Sequence, residues 1–261
     1  MPTDTVAAPT PQPAFRRVVR GRLGFDIRTG VLLVSVFGAI RVALVLQANV
    51  TGSYQAVSIV FVAMAVLPWL LLTKPGRRQL GLVRPTRWRW MLPAALAGSA
   101  AALLVFAVFR ALWADTVRNA FVYIGGTYTA VPAEVSDSDR AIYFVIFAVI
   151  GITFSPIGEE LLYRGVAQES FAAKLGTRTA ALIDAAAFAV VHLAHFGLVY
   201  LAGGWAFLPG PAALWMAAMF GSALVFHSFR VLTGSIVGAI VSHAAFNLTM
   251  TAIIFYALDL Y

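Results

Sequence analysis

The sequence predicts an all-α fold, a polytopic transmembrane helical bundle of about seven helices, on three observations. Of the 261 residues 61% are hydrophobic and only 11% charged, and the mean hydropathy is +0.85, a balance that no water-soluble globule carries. Apolar stretches long enough to cross about 30 Å of hydrocarbon recur along nearly the whole chain. The ionisable residues inside those stretches fall in a few islands rather than along helix faces, as expected where an interior site and not solvent receives them.

Residues 1–30 read as a disordered basic cytoplasmic tail, because the first fifteen contain Pro and Thr without an apolar run and Arg16, Arg17, Arg20, Arg22 and Arg28 follow. Residues 31–140 read as N-terminal transmembrane helices and their loops, with helices expected over 31–48, 56–73 and 91–113. Residues 141–257 read as a four-helix core, with helices over 141–163, 180–200, 212–229 and 235–257. A tight turn at Thr233-Gly234 separates the last two. The loop from Lys74 to Arg89 holds Lys74, Arg77, Arg78, Arg84, Arg87 and Arg89 without an acidic residue. Lys174, Arg178 and Arg230 fall in later alternate loops, whereas the loop from Ala114 to Arg140 sets Asp115, Glu134, Asp137 and Asp139 against Arg118 and Arg140. Seven helices with the N-terminus in the cytoplasm satisfy the positive-inside rule.

The net charge of +8 is therefore topological, supplemented by attraction to anionic lipid head groups, and no nucleic-acid partner is expected. The absence of cysteine excludes disulfides, thiolate metal sites and a cysteine nucleophile. Seventeen arginines against two lysines, with abundant Ala and Val, fit a GC-rich bacterial genome and hence a bacterial plasma membrane.

The densest island reads Gly158-Glu159-Glu160-Leu161-Leu162-Tyr163-Arg164-Gly165, at the expected cytoplasmic end of the fourth helix. Glu160 and Arg164, one turn apart, can pair, while Glu159 is rotated by about 100° and faces elsewhere. Two adjacent carboxylates can thus take different roles, one as a fixed counter-ion and one as a general base. The bland alternative is a helix end whose glutamates face the head groups. The second island is His192, one turn after Phe188, with His195 close behind; a lone helical histidine is commonly a packed core residue, and His195 fits that description better. The third is His243 with Asn247, two polar heads at i and i+4 that can share one cavity, although a membrane-buried Asn also serves to hold helices together. Arg41, Arg110 and Asp184 read as snorkelling or interfacial, Arg41 also as a candidate for lining the bundle, and His227 as interfacial.

Taken in order, Glu-Glu-x-x-x-Arg, Phe-x-x-x-His and His-x-x-x-Asn on three membrane helices resemble the CPBP family of intramembrane proteases, which includes CAAX prenyl proteases and bacteriocin-processing, Abi-type members. Gly81-Leu82-Val83-Arg84-Pro85 is similar to a stretch seen upstream in such proteins. The resemblance covers residues 141–257 and implies an endopeptidase acting on a membrane-associated peptide or protein within the lipid bilayer. It makes Glu159 the carboxylate that activates water, His192 its partner in holding that water, and Glu160, pinned by Arg164, a residue that shapes the site. Phe188 and Arg164 give structural support, and His243 and Asn247 donate to the oxyanion. Glu159, His192 and His243 can alternatively bind a divalent metal such as Zn²⁺ with one position left for water, as the name metalloprotease suggests. The pattern is not His-Glu-x-x-His, and the metal-free mechanism is the one adopted here; His195 is either an added ligand or a packing residue.

Two other function classes carry distinct expectations. A proton- or ion-coupled transporter would use the same glutamates and histidines as a relay, but the chain shows no internal repeat. A non-catalytic immunity scaffold would tolerate loss of Glu159. For the protease, the expected architecture is a bundle around a polar conical cavity that water enters from the cytoplasmic side.

Overall fold

The computed structural model describes residues 13–258 and 260. Its helices are α1 (Ile27–Thr51), α2 (Gln55–Leu71), the short α3 (Lys74–Gln79), α4 (Met91–Trp113), α5 (Ala120–Gly126), α6 (Asp137–Glu160), α7 (Gln168–Leu175), α8 (Thr177–Val191), α9 (Pro209–Thr233) and α10 (Ile236–Tyr256). A π-helical segment, Leu161–Ala167, joins α6 to α7, and strands β1 (Leu198–Leu201) and β2 (Gly204–Phe207) form an antiparallel hairpin between α8 and α9. Among the described residues six helical stretches are long and apolar enough to cross a membrane, and α2, at 17 residues, falls just short. These are the seven helices expected from the sequence. Their outward faces carry Ile59, Leu70, Leu92, Leu104 and Ile142, all exposed, as lipid contact requires.

Local chemistry sets the helix ends. Asp26 accepts from the Thr29 amide at 2.8 Å and starts α1, which stops at Gly52 in the left-handed region. Ser136 and Ser235 cap α6 and α10 in the same way. The polypeptide ends α8 earlier than its hydropathy suggests, at Val191 rather than 200. His192–Ala194 tighten into a 3₁₀ turn, the Ala194 carbonyl accepts from Asn49 at 2.9 Å, and Gly197 takes a φ of 111° that closes the turn into β1.

The tail also differs from expectation. Residues 1–12 lie outside the described residues, but Phe15 is buried and bridges Leu72, and the Arg16 amide donates to the Leu71 carbonyl at 2.9 Å. Residues 13–26 are therefore docked on the end of α2, and α1 begins at Ile27 rather than 31. Apolar anchoring of Phe15 against Phe25, with ring centroids 4.9 Å apart, offsets the ordering entropy that the basic composition alone would leave unmet.

The two ends of the bundle differ in chemistry. One gathers the N-terminal arginines, the basic Lys74–Arg89 loop, α7 and the α9–α10 turn. The Ile236 amide donates to the Gly81 carbonyl at 2.9 Å, the Thr86 amide to the Thr233 carbonyl at 3.0 Å, and Arg230 pairs with Glu169 at 2.6 Å. The Gly81–Pro85 stretch thus locks the start of α10. The opposite end gathers Tyr54, the 114–136 segment and the hairpin: Tyr54 donates to Asn49 at 2.6 Å, Thr129 to the Gly52 carbonyl at 2.7 Å, and the Tyr200 amide to the Tyr123 hydroxyl at 2.9 Å.

Close helix crossings use small residues. A Cβ at Gly98 would collide with the Ser242 carbonyl where α4 crosses α10, and one at Gly158 would collide with the Phe61 carbonyl where α2 crosses α6. Because backbone is the obstacle at Gly158, Gly158→Ala is expected to force α2 and α6 apart, costing about 1–3 kcal/mol, read as a lowered thermal midpoint in detergent.

Candidate active site

Glu159 and Glu160 close α6 one turn after Pro156, whose ring removes a backbone donor and loosens the ladder there. Both are fully buried. Their side chains diverge as the helical rotation predicts. Glu160 lies 3.3 Å from Arg164 Nε through its Oε2, and its Oε1 accepts from His243 Nδ1 at 2.8 Å. A carboxylate can only accept, so Nδ1 carries a proton; Nε2 of the same ring then faces Glu159 Oε2 at 3.6 Å. Ser155 donates to Glu159 Oε2 at 3.1 Å.

Arg164 projects from the π-helical segment, where the widened turn brings it back under Glu160. It also meets Asp184 of α8 at 3.4 Å, and its guanidinium lies 4.3 Å from the Phe188 ring centroid and 5.6 Å from that of Phe226. Both of its carboxylate contacts are ion pairs without aligned hydrogen-bond geometry, so charge and the aromatic faces hold it. Asp184 is therefore not interfacial: it is buried within the cluster as the second counter-ion of Arg164. Phe188 stacks over Arg164, lies 4.2 Å from the His192 ring and meets His243 edge-on, joining all three islands.

His192 ends α8. Its Nδ1 donates to the Phe188 carbonyl at 2.6 Å, which leaves the Nε2 lone pair directed outward, and the Trp215 indole donates to its carbonyl at 3.1 Å. The group facing Nε2 is Arg41, whose Nη2 is 3.0 Å away. The same Nη2 is 2.8 Å from Glu159 Oε1 and 3.2 Å from His195 Nε2. Arg41 is 98% buried, so it does not snorkel; it is the counter-ion of Glu159 and bridges α1 to the core. His195, just beyond the span of α8, is held down to about 3 by burial and by that guanidinium, and is neutral. His227, partly buried near the basic end of the bundle, donates its Nδ1 proton to Gln168 Oε1 at 3.1 Å.

A cavity of about 520 Å³ reaches this cluster. Arg41, Ser155, His192, His195, His243 and Asn247 line its inner part, with Phe188 and Phe226 behind them. Glu159 sits just beyond, reached through Arg41, Ser155 and His243. Asn247 donates one amide hydrogen to the Gly151 carbonyl at 3.0 Å and keeps the other. Farther out the walls are mainly apolar, from Phe61, Phe147, Phe246 and Met250, and the cavity reaches the surface at exposed Gln55, Thr129 and Ala130. Exposed Ile146 and Ile150 on α6 border it towards the lipid.

The structure thus brings Glu159, Glu160, Arg164, Phe188, His192 and His243 together, with Asn247 one turn outward. Arg41 lines the bundle, as one sequence reading had it, but its pairing with Glu159 and the places of Asp184 and Ser155 were missed. A charge some fifteen residues inside α1 is too deep to snorkel cheaply from the basic end, and that depth was the signal for Arg41. Among the described residues no group of three or more His, Asp or Glu side chains is arranged to hold a metal ion.

The cluster of buried carboxylates, guanidiniums and histidines lies within a membrane bundle and is reached by a cavity. Residues 141–249 match the family model described as Rce1-like, Type II CAAX prenyl endopeptidase Rce1-like. The match runs from α6 into α10 and includes all three motifs. No curated protein and no solved structure is significantly similar to the chain.

Arg164→Ala is expected to strand Glu160 and Asp184 as buried carboxylates, a loss of about 3–5 kcal/mol, seen as a lower thermal midpoint; Arg164→Lys recovers only part of it, because lysine lacks the planar fork that spans two carboxylates and an aromatic face.

Proposed function

We propose that the protein is an intramembrane endopeptidase that hydrolyses a peptide bond of a membrane-associated peptide or protein with water activated by Glu159, without a metal. The observation that carries this reading is the setting of Glu159: a buried carboxylate clamped by Arg41 and Ser155 beside the inner wall of a cavity that His192, His243 and Asn247 also line.

Arg41 Nη2 stands between Glu159 Oε1 and His192 Nε2, the place a water shared by those two acceptors occupies in the reaction. An incoming substrate carbonyl draws the guanidinium towards the cavity, and water takes its place. Glu159 accepts a proton as the water oxygen bonds to the carbonyl carbon, and the carbonyl oxygen becomes an oxyanion. Arg41 and the free amide hydrogen of Asn247 supply donors to that oxyanion, and His243, its Nδ1 proton held by Glu160, lines the same wall. Collapse breaks the C–N bond, and Glu159 returns the proton to the leaving amine. Glu160 stays fixed between Arg164 and His243 and orients the His243 ring.

The donor set argues for the metal-free form. A cation already lies between Glu159 and His192, so a divalent ion held by Glu159, His192 and His243 would meet the Arg41 charge at close range.

Purified protein in detergent, given a library of membrane peptides, is expected to cleave equally with and without a chelator. Glu159→Gln should lower the rate by about 10²–10⁴-fold while the fold persists. Wild-type rates from that variant, measured by mass spectrometry of the products, would sink the assignment.

Arg41 can be separated from Glu159 by a double variant. Arg41→Met alone leaves Glu159 buried and unpaired and should cost about 3–5 kcal/mol, whereas Arg41→Met with Glu159→Gln should regain most of that stability and remain inactive. Thermal melts of the four proteins give the coupling energy directly.

A further inference from the structure

Helix α1, which lies outside the matched residues 141–249, grips the site through Arg41 and, about two turns farther on, through Asn49. Arg41 Nη2 meets His192 Nε2 at 3.0 Å and His195 Nε2 at 3.2 Å, whereas Asn49 donates to the Ala194 carbonyl at 2.9 Å. Both therefore hold the same 3₁₀ turn, His192–Ala194, which carries the histidine of the site. Asn49 is itself fixed. A carbonyl can only accept, so the amide nitrogen of Asn49 faces Ala194, and its oxygen accepts from the Tyr54 hydroxyl at 2.6 Å. The Tyr54 ring lines the active-site cavity, and Asn49 is reached through it without lining that cavity.

We propose, on the proteolytic reading above, that Asn49 is a positioning residue for the hydrolysis: held by Tyr54, it sets the His192–Ala194 turn so that His192 Nε2 faces Glu159 across Arg41. A 3₁₀ turn is a poorly bonded joint, and the direction of its side chains follows the groups that hold its carbonyls. The Trp215 indole holds that of His192, and Asn49 holds that of Ala194. With the Ala194 tie gone, the turn is free to shift relative to α1, and a displacement of about 1 Å at a reacting group costs up to about 10²-fold in rate. An asparagine that only fastened helices together would add stability and leave the direction of His192 unchanged. Because Asn49 does not line the cavity, its loss should appear in kcat and not in KM.

The chain has four histidines, so ring-¹⁵N NMR of the full chain in detergent, assigned with single His→Gln variants, separates His192 and His195 from His227 and His243. Asn49→Leu keeps the size of the side chain and removes both bonds. It is expected to shift the His192 and His195 signals and leave the other two in place, and to lower kcat on membrane peptides by about 10-fold to 10²-fold with KM unchanged. Asn49→Gln keeps the amide and should recover part of the rate. Tyr54→Phe leaves the ring in the cavity wall and removes only the hydroxyl; it should move the same two signals by less, and it carries the test where Asn49→Leu does not fold. Unmoved His192 signals, movement of all four histidines together, or a wild-type kcat overturns the positioning role. A wild-type chain that cleaves no peptide removes the protease reading instead, and the NMR pattern then decides by itself whether Asn49 sets the turn.

Discussion

The cost of keeping charge out of water organises this molecule. Three carboxylates, Glu159, Glu160 and Asp184, and two guanidiniums, Arg41 and Arg164, are buried in one cluster inside an apolar bundle. Each would be prohibitive alone, and each is tolerable only because a partner of opposite sign is within about 3.5 Å. Because those partners sit on α1, α6, the π-helical segment and α8, neutralising the cluster fixes the arrangement of the helices. His243 lies between Glu160 at 2.8 Å and Glu159 at 3.6 Å and touches both carboxylates.

The same constraint explains what could be read from the sequence. The spans announced themselves because each is a long local run of apolar residues, and the Glu160–Arg164 pair did so because i and i+4 neighbours meet on any helix. The relation of Arg41 to Glu159 and His192 is of another kind. Its partners lie on helices remote in sequence, so helical periodicity holds no trace of it, and a single arginine in an apolar segment has a cheap interfacial explanation. Asp184 failed for the same reason, its partner being fixed by the packing of α8 against the π-helical turn. The docked Phe15 and the early end of α8 at His192 depend on contacts with Leu72, Asn49 and Trp215, none of them local.

Irregular backbone appears where a regular helix would misplace a side chain. Pro156 precedes the glutamates, the π-helical turn follows them, and His192 lies where α8 tightens into a 3₁₀ turn. Each interruption frees or redirects backbone groups that a lipid-facing helix must keep paired, and each is sheltered by neighbouring helices, the one setting in which a membrane tolerates it. The Trp215 indole, for example, satisfies the His192 carbonyl. Glu159, Glu160, Arg164 and His192 thus sit at joints, whose directions are set by packing, whereas Arg41, His243 and Asn247 project from within α1 and α10.

Closure of the arginine-rich end has a chemical consequence. Ser235 donates to the Val83 carbonyl at 2.5 Å, and Thr233 lies between the Phe229 and Ser235 carbonyls, so the turn below the site is tied at several points and holds little space for water. Among the described residues, the cavity that reaches the cluster passes Phe61, Phe147 and Phe246. On the proposed reading, a substrate filling it excludes bulk solvent from the Glu159, His192 and His243 cluster, and the ion pairs there then act in a drier medium, where each is stronger. A second opening at the basic end would let solvent in behind the substrate and forfeit that gain.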